Sequence, residues 1–172
     1  MFENKGRTEL NQLGEFGLID HLTKDIELQN KSSIKGVGDD AAVLDFNNKK
    51  ALVSTDLLLE NIHFDLAYTP LKHLGYKAIQ VNLSDIYAMN GTPSQVTVSI
   101  GLSSKFPLEA VEEIYSGIYI ACKKYGVDLV GGDTSSSKQG LVISVTSIGY
   151  ADEKDICYRD GAQEGDLICV SG

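Results

Sequence analysis

Apolar positions recur along this chain with two alternating periods, and the switches between them lay out its elements. Phe16, Leu18, Ile19 and Leu22 fall at helical spacing and predict a short amphipathic helix from about Gly14 to Thr23, after a polar lead-in. Residues 41–46 and 50–55 read as β-prone runs joined by Asn47-Asn48-Lys49-Lys50. That pattern predicts a hairpin that carries Asp39 and Asp40 to the same end as Asp56. Leu71, Leu74, Ala78, Ile79, Leu83 and Ile86 return to helical spacing, and Asn90-Gly91-Thr92-Pro93 stops that helix. Residues 95–102 alternate Val96, Val98 and Ile100 with Gln95, Thr97 and Ser99, a strand with one wet face. Pro107 opens a second long helix with Leu108, Val111, Ile114 and Ile118 on its inner stripe, and Gly126 stops it. A short buried strand at 127–130, a glycine- and hydroxyl-rich loop at 131–137, a strand at 141–150 and a last strand at 167–170 follow. The order predicts an α+β domain, a mixed or antiparallel sheet with helices on one face and no internal repeat. The uncovered face predicts pairing of two copies through the sheet.

Composition narrows the partners. At 172 residues, 42% hydrophobic and 23% charged, the chain reads as an ordinary soluble globular domain. A formal charge of -9 disfavours nucleic acid and anionic membranes, so a phosphate ligand requires a local reversal of field that bound metal supplies most simply. Cys122, Cys157 and Cys169 form no CxxC and cannot all pair, which suits a reducing, cytoplasmic setting. No stretch approaches the apolar length of a membrane span.

The candidate chemistry lies where polar groups interrupt apolar runs. In 51–64 the run is broken by Ser54, Thr55 and Asp56, and then by Glu60, Asn61 and His63. A buried hydroxyl left unpaired costs about 1–3 kcal/mol and a carboxylate far more, so the triplet faces solvent or binds something. Three further acidic sites follow the pattern. Gly36-Val37-Gly38-Asp39-Asp40 leads into a strand, Asn82 and Asp85 share a helix face at i and i+3, and Gly131-Gly132-Asp133-Thr134 forms a second glycine-plus-acid turn. Converging carboxylates repel by several kcal/mol at protein-like dielectric, and hard oxygen donors suit Mg²⁺. The chain has no GxxxxGK[ST], GxGxxG, HExxH or GxSxG. The residues by themselves reach a Mg²⁺-dependent phosphate-handling enzyme.

Gly38-Asp39-Asp40-Ala41-Ala42-Val43, Ser54-Thr55-Asp56 with Glu60 and His63-Phe64, Tyr76-Lys77-Ala78 with Val81-Asn82-Leu83-Ser84-Asp85, Gly131-Gly132-Asp133-Thr134, and Arg159-Asp160-Gly161-Ala162 with Gly165-Asp166 together resemble the thiamine-monophosphate kinase family. That family belongs to the aminoimidazole ribonucleotide synthetase-like superfamily. The resemblance implies transfer of the ATP γ-phosphoryl to thiamine monophosphate, in a site holding several Mg²⁺, by a dimer whose two sheets close into a barrel. Carried over by position, Asp40, Ser54, Thr55, Asp56, Asp85 and Asp133 become metal ligands and His63 a substrate contact. Gly132, Asp133, Arg159 and Tyr115 become nucleotide contacts. The resemblance also implies that residues 1–165 form the ATP- and Mg²⁺-binding, dimerising domain and that 166–172 open a truncated second domain, leaving this piece without turnover. The chain departs from the family at Asn61 and Asn90, where Gly is common, and at Ser136, where Arg is common. An aminoimidazole ribonucleotide synthetase, a selenophosphate synthetase or a non-enzymatic nucleotide-binding dimerisation module would share the fold. The Ser-Thr-Asp and Asn-Leu-Ser-Asp motifs look like those of the thiamine enzyme, and no residue reads as an activated nucleophile, so direct in-line transfer is expected.

Overall fold

The helical stripes of the sequence become helices almost where periodicity puts them. A computed structural model describes residues 12–35, 37, 43–138, 140–158 and 161–170. Helix α1 is Gly14–Thr23, α2 is Leu71–Ala88 and α3 is Leu108–Tyr125. Strands β1 (Ser33–Lys35) and β2 (Val43–Leu44) form a small antiparallel pair. The main sheet consists of β3 (Lys50–Leu59), β4 (Thr92–Leu102), β5 (Asp128–Ser136) and β6 (Val142–Ala151), in the order β3-β6-β4-β5. β6 runs antiparallel to both β3 and β4, whereas β4 and β5 are parallel. Parallel neighbours cannot be joined by a tight turn, and α3 is the crossover between them.

Both long helices cover one face of the sheet. Leu58, Ile143, Val145, Val96, Val98 and Ile100 are buried beneath them. On the other face Val53 and Leu57 are exposed, with Thr97, Ser99, Ser144 and Thr146 half-buried beside them. The expected mixed sheet with helices on one face is therefore present. Where α2 and α3 cross at Gly75 and Gly117, backbone meets backbone. A Cβ added at Gly75 would lie 1.9 Å from the Ile114 carbonyl oxygen, and one at Gly117 would lie 1.9 Å from that of Lys72. The two backbones touch through a reciprocal glycine pair. Helix α1 is held against α3 by Leu18 and Leu22 in the core, by His21 Nε2 on Glu112 Oε1 at 2.7 Å, and by the Tyr119 hydroxyl on the Leu22 carbonyl.

Three expectations are corrected. The predicted hairpin turn forms, with Asn47 and Asn48 at φ of 47° and 71° and Lys49 N–H donating to the Phe46 carbonyl at 3.1 Å. The strands it joins are not partners, however. β2 pairs with β1, and β3 spends its ladder on β6 from Lys50↔Ala151 to Leu59↔Val142. The glycine-rich stretch 131–137 is strand rather than loop as far as Ser136, because β4 provides a parallel neighbour along its length. Its glycines permit close approach instead of a turn, since a Cβ at Gly132 would sit 1.8 Å from the Val98 carbonyl oxygen. The final strand at 167–170 does not form. Leu167, Ile168 and Val170 are 90%, 97% and 90% exposed, with no neighbouring strand among the described residues to satisfy their backbone.

A buried polar knot roots β1 on the sheet. Asp128, 1% exposed, accepts Gln29 N–H at 2.5 Å, Asn30 N–H at 2.9 Å and the Ser33 hydroxyl at 2.5 Å. Gln95 Nε2 donates to the Ser32 and Ser33 hydroxyls at 2.7 and 2.8 Å. Such a carboxylate is stabilised by directed donors instead of a counter-charge.

Candidate functional site

The polar residues of 51–64 meet α2 along a seam at the free edge of β3. Ser54 and Asp56 alternate with exposed Val53, Thr55 and Leu57, so they point to the helix side. The Ser54 hydroxyl donates to Asp85 Oδ2 at 2.5 Å. One turn back along α2, fully buried Asn82 accepts the Asp56 N–H at 2.9 Å and donates Nδ2 to the Ala78 carbonyl at 2.9 Å. Its own carbonyl accepts the Ser147 hydroxyl at 3.0 Å. Asn82 thus fixes the height of α2 over β3 and β6. Nearer the helix start, Lys77 Nζ donates to the His63 carbonyl at 2.9 Å, and the Leu59 N–H donates to His63 Nδ1 at 3.0 Å. Residues 77 and 85 are eight apart, which is about 12 Å of helix. One seam therefore carries an acidic end and a basic end.

The turn bearing His63 is tied at both sides. Glu60 N–H donates to the Leu141 carbonyl at 3.1 Å, and Glu60 Oε2 accepts the Leu141 N–H at 2.7 Å. Asn61 donates to the Phe64 carbonyl at 2.7 Å from a φ of 65°. Asn90, after α2, stands at φ 56°. Both departures from the family's glycine thus fall at left-handed positions, which Asn tolerates best among the other residues. Asn90 Nδ2 donates to the Asp155 carbonyl at 2.9 Å, and Cys157 N–H donates to the Met89 carbonyl at 3.1 Å. These bonds hold the chain after β6 beside the acidic end. There a cleft of about 470 Å³ is lined by Ser54, Asp85, Ile86, Met89, Cys157 and Tyr158 among others.

Of the residues expected to bind metal, the structure brings Ser54, Asp56 and Asp85 together on the seam. Thr55 lies on the opposite face of β3, donating to the Val145 carbonyl at 3.1 Å and accepting from the Thr146 hydroxyl at 3.1 Å. Asp133 sits level with Ser99 on β5, at the other edge of the sheet. Three strand spacings, about 14 Å, separate it from β3. Asp39, Asp40 and Arg159 lie outside the described residues. Among the described residues no group of three His, Cys, Asp or Glu side chains is placed to hold a metal ion. Tyr115, expected at the nucleotide, lies on α3. It falls at i+4 from Val111 on the inner face of α3, is 6% exposed, and meets Tyr119 edge-on at a ring separation of 6.1 Å. Burial pushes its hydroxyl up to about 12, and the ring is part of the core. Burial likewise pushes the Cys122 thiol up to about 12, with Asp128 adding to the shift.

The donors on the seam are a hydroxyl and two carboxylates, all hard oxygens. Mg²⁺ takes one or two carboxylates and completes its shell with water and phosphate oxygens, so this set fits it. Asn82 is the member that sequence reasoning left out of the site. The signal was its i, i+3 spacing with Asp85, but only burial reveals that its side chain serves the backbone.

The fold and the seam define the class. Residues 38–151 match the family described as AIR synthase related protein, N-terminal domain, and the chain belongs to that family. Within it, the chain is 40% identical to thiamine-monophosphate kinase of Aquifex aeolicus (strain VF5) over 163 residues, 95% of this chain and 50% of the relative. To thiamine-monophosphate kinase of Bacillus subtilis (strain 168) it is 37% identical over 161 residues, 93% of this chain and 49% of the relative. A crystal structure of thiamine-monophosphate kinase from Stenotrophomonas maltophilia K279a superposes with a TM-score of 0.74 at 32% identity, covering 87% of this chain and 46% of that one. The structure described as AaThiL complexed with AMPPCP and TMP has a TM-score of 0.64 at 37% identity, covering 92% and 48%. The chain spans about half the length of the curated relatives it matches. Among the described residues no helix is long and apolar enough to cross a membrane.

Proposed function

We propose that this chain provides the metal- and nucleotide-binding part of a thiamine-monophosphate kinase, which moves the γ-phosphoryl of ATP onto the phosphate of thiamine monophosphate. The observation that carries the reading is the seam where Ser54 and Asp56 of β3 meet Asp85 of α2, in a chain similar to a protein solved with AMPPCP and TMP. Ser54, Asp56 and Asp85 would hold Mg²⁺, with Asp40, Thr55 and Asp133 as the further ligands that the family pattern proposes. Bound there, Mg²⁺ supplies positive charge that neutralises phosphate oxygens in an acidic protein. Asp85 keeps its orientation through Ser54, and Asn82 keeps the strand and helix in register, so the groups are set before substrate arrives. Gly132 and Arg159 are proposed at the nucleotide and His63 at the acceptor.

Transfer is direct. Cys122 is buried with a raised thiol, and His63 has its Nδ1 taken by a backbone N–H, so the described residues offer no activated nucleophile at the seam. Phosphorylation of thiamine monophosphate should therefore proceed with no label retained on the protein from γ-labelled ATP. The test is turnover by the chain extended to the length of its relatives, beside residues 1–172 alone. The reading expects product only from the longer protein, because 166–172 are proposed to open a second domain that completes the nucleotide cleft. Aminoimidazole ribonucleotide synthesis without kinase activity would favour the sister enzyme, and nucleotide binding without turnover by either protein would favour the dimerisation module.

Two copies are proposed to pair through the open face of the sheet. Exposed Val53 and Leu57 stand there with half-buried Val142, Ile148 and Tyr150, a surface that a second sheet would cover. Light scattering at micromolar protein should give twice the chain mass. Replacing both Val53 and Leu57 with Lys should return it to one chain mass without unfolding, and a wild-type monomer would remove the proposal.

A further inference from the structure

We infer that Lys77 Nζ and His63 Nε2–H together form the subsite for the phosphate monoester of the acceptor, a reading that rests on the function proposed above and adds Lys77 to it. The Leu59 backbone can only donate, so the His63 Nδ1 it faces at 3.0 Å must accept. The proton of the neutral ring therefore sits on Nε2. That N–H has no acceptor among the described residues, and His63 is exposed.

Lys77 stands beside it as a second unspent donor. One of its three N–H bonds goes to the His63 carbonyl at 2.9 Å, and no carboxylate among the described residues lies within ion-pair distance of it. An exposed cation with no ion pair among the described residues is notable in a chain of net charge -9. The direct bond to the His63 backbone holds the two donors close, on supports that do not move independently. Lys77 projects from α2, and the His63 turn is tied by Ile62 N–H to Leu59, Asn61 N–H to Phe64 and Glu60 to Leu141. A dianionic monoester takes several N–H donors at once, for which an ammonium gives charge and an imidazole N–H gives direction. The seam then orders the reactants by charge. Asp85 and Ser54 mark the metal-binding end, and Lys77 and His63 mark the end where the acceptor carries its phosphate.

Calorimetric titration with thiamine monophosphate and with thiamine, on the wild type, Lys77→Met and Lys77→Arg, tests this. Wild type should prefer the monophosphate. Lys77→Met should lose about tenfold of that preference with thiamine affinity unchanged, and Lys77→Arg should recover most of it. Affinity for AMPPCP with Mg²⁺ should stay within about twofold, a pattern that general loosening of the fold does not give. Nitrogen-15 spectra of the free protein should report His63 protonated at Nε2 and bare at Nδ1, with Nε2 moving on addition of inorganic phosphate in wild type and far less in Lys77→Met. An unchanged monophosphate-to-thiamine ratio in a folded Lys77→Met protein overturns the subsite and leaves the kinase reading standing. A wild type that binds neither compound overturns both.

Discussion

Replacing Asp85 with Asn is expected to lower phosphoryl transfer by about 10²-fold or more in the full-length enzyme, about 3 kcal/mol of transition-state stabilisation. The amide has the carboxylate's shape and can still accept the Ser54 hydroxyl, which reaches Asp85 at 2.5 Å in the wild type. What is lost is the charge. Asp85 is carried on α2, whose height over the sheet is set by buried Asn82, so its position on the seam is fixed by the helix. The same substitution should weaken Mg²⁺-dependent binding of AMPPCP while leaving the thermal transition near the wild-type value, since the residue is exposed. Full turnover by Asp85→Asn at saturating Mg²⁺ would remove Asp85 from the site.

Gly117→Ala should be among the most damaging added methyls in the protein, with Gly75→Ala and Gly132→Ala. Its Cβ would lie 1.9 Å from the Lys72 carbonyl oxygen and 2.8 Å from the Tyr76 nitrogen, both backbone atoms that no rotamer change can move aside. Overpacking a core typically costs about 1–3 kcal/mol, and a clash between two helix backbones belongs at or above the top of that range. For a chain of this size a loss of 3 kcal/mol lowers the melting temperature by about 6–12 °C. Gly17→Ala in α1 meets nothing nearer than the Leu13 Cβ at 3.5 Å. There the added methyl should leave stability unchanged or raise it by up to about 1 kcal/mol, because Ala restricts the unfolded chain and suits a helix. Thermal melts of the two variants decide the matter, and equal melting temperatures would mean that α2 and α3 part at no cost. Because α2 also carries Lys77, Asn82 and Asp85, displacement by Gly117→Ala should reduce ligand binding as well.

Local pattern was enough to place most elements, because it is set by burial of one face at a time. The stripe Leu74, Ala78, Ile79, Leu83 and Ile86 specified α2, and Gly126 marked the end of α3, where it stands at φ 65° as the helix cap. The run Ser54-Thr55-Asp56 and the pair Asn82 and Asp85 were legible as chemistry, since polar groups among apolar neighbours need partners. The sequence also carried the five motifs that point to thiamine-monophosphate kinases.

Pairing and facing were decided only by the tertiary structure. Residues 43–44 and 50–59 are neighbours in sequence, but β6, more than 80 residues further on, competes for β3 with a ten-pair ladder and wins it. Gly131 to Ser136 carry every local mark of a loop and yet extend as strand, because a parallel neighbour satisfies their backbone and the missing Cβ lets β4 approach. Leu167 to Val170 carry every local mark of a strand and form none, since the described residues leave no edge beside them. The same logic separates the acids. Ser54 and Asp56 reach Asp85 because alternation turns them toward α2, while Thr55 turns away by the same alternation and Asp133 stands at the far edge of the sheet. Tyr115 reads as a polar contact in sequence and is a core residue in space, for it shares the buried side of α3 with Val111 and Ile118. A residue's own preferences fix its local conformation, but which partner satisfies its backbone and which face it shares depend on chain brought in from far away.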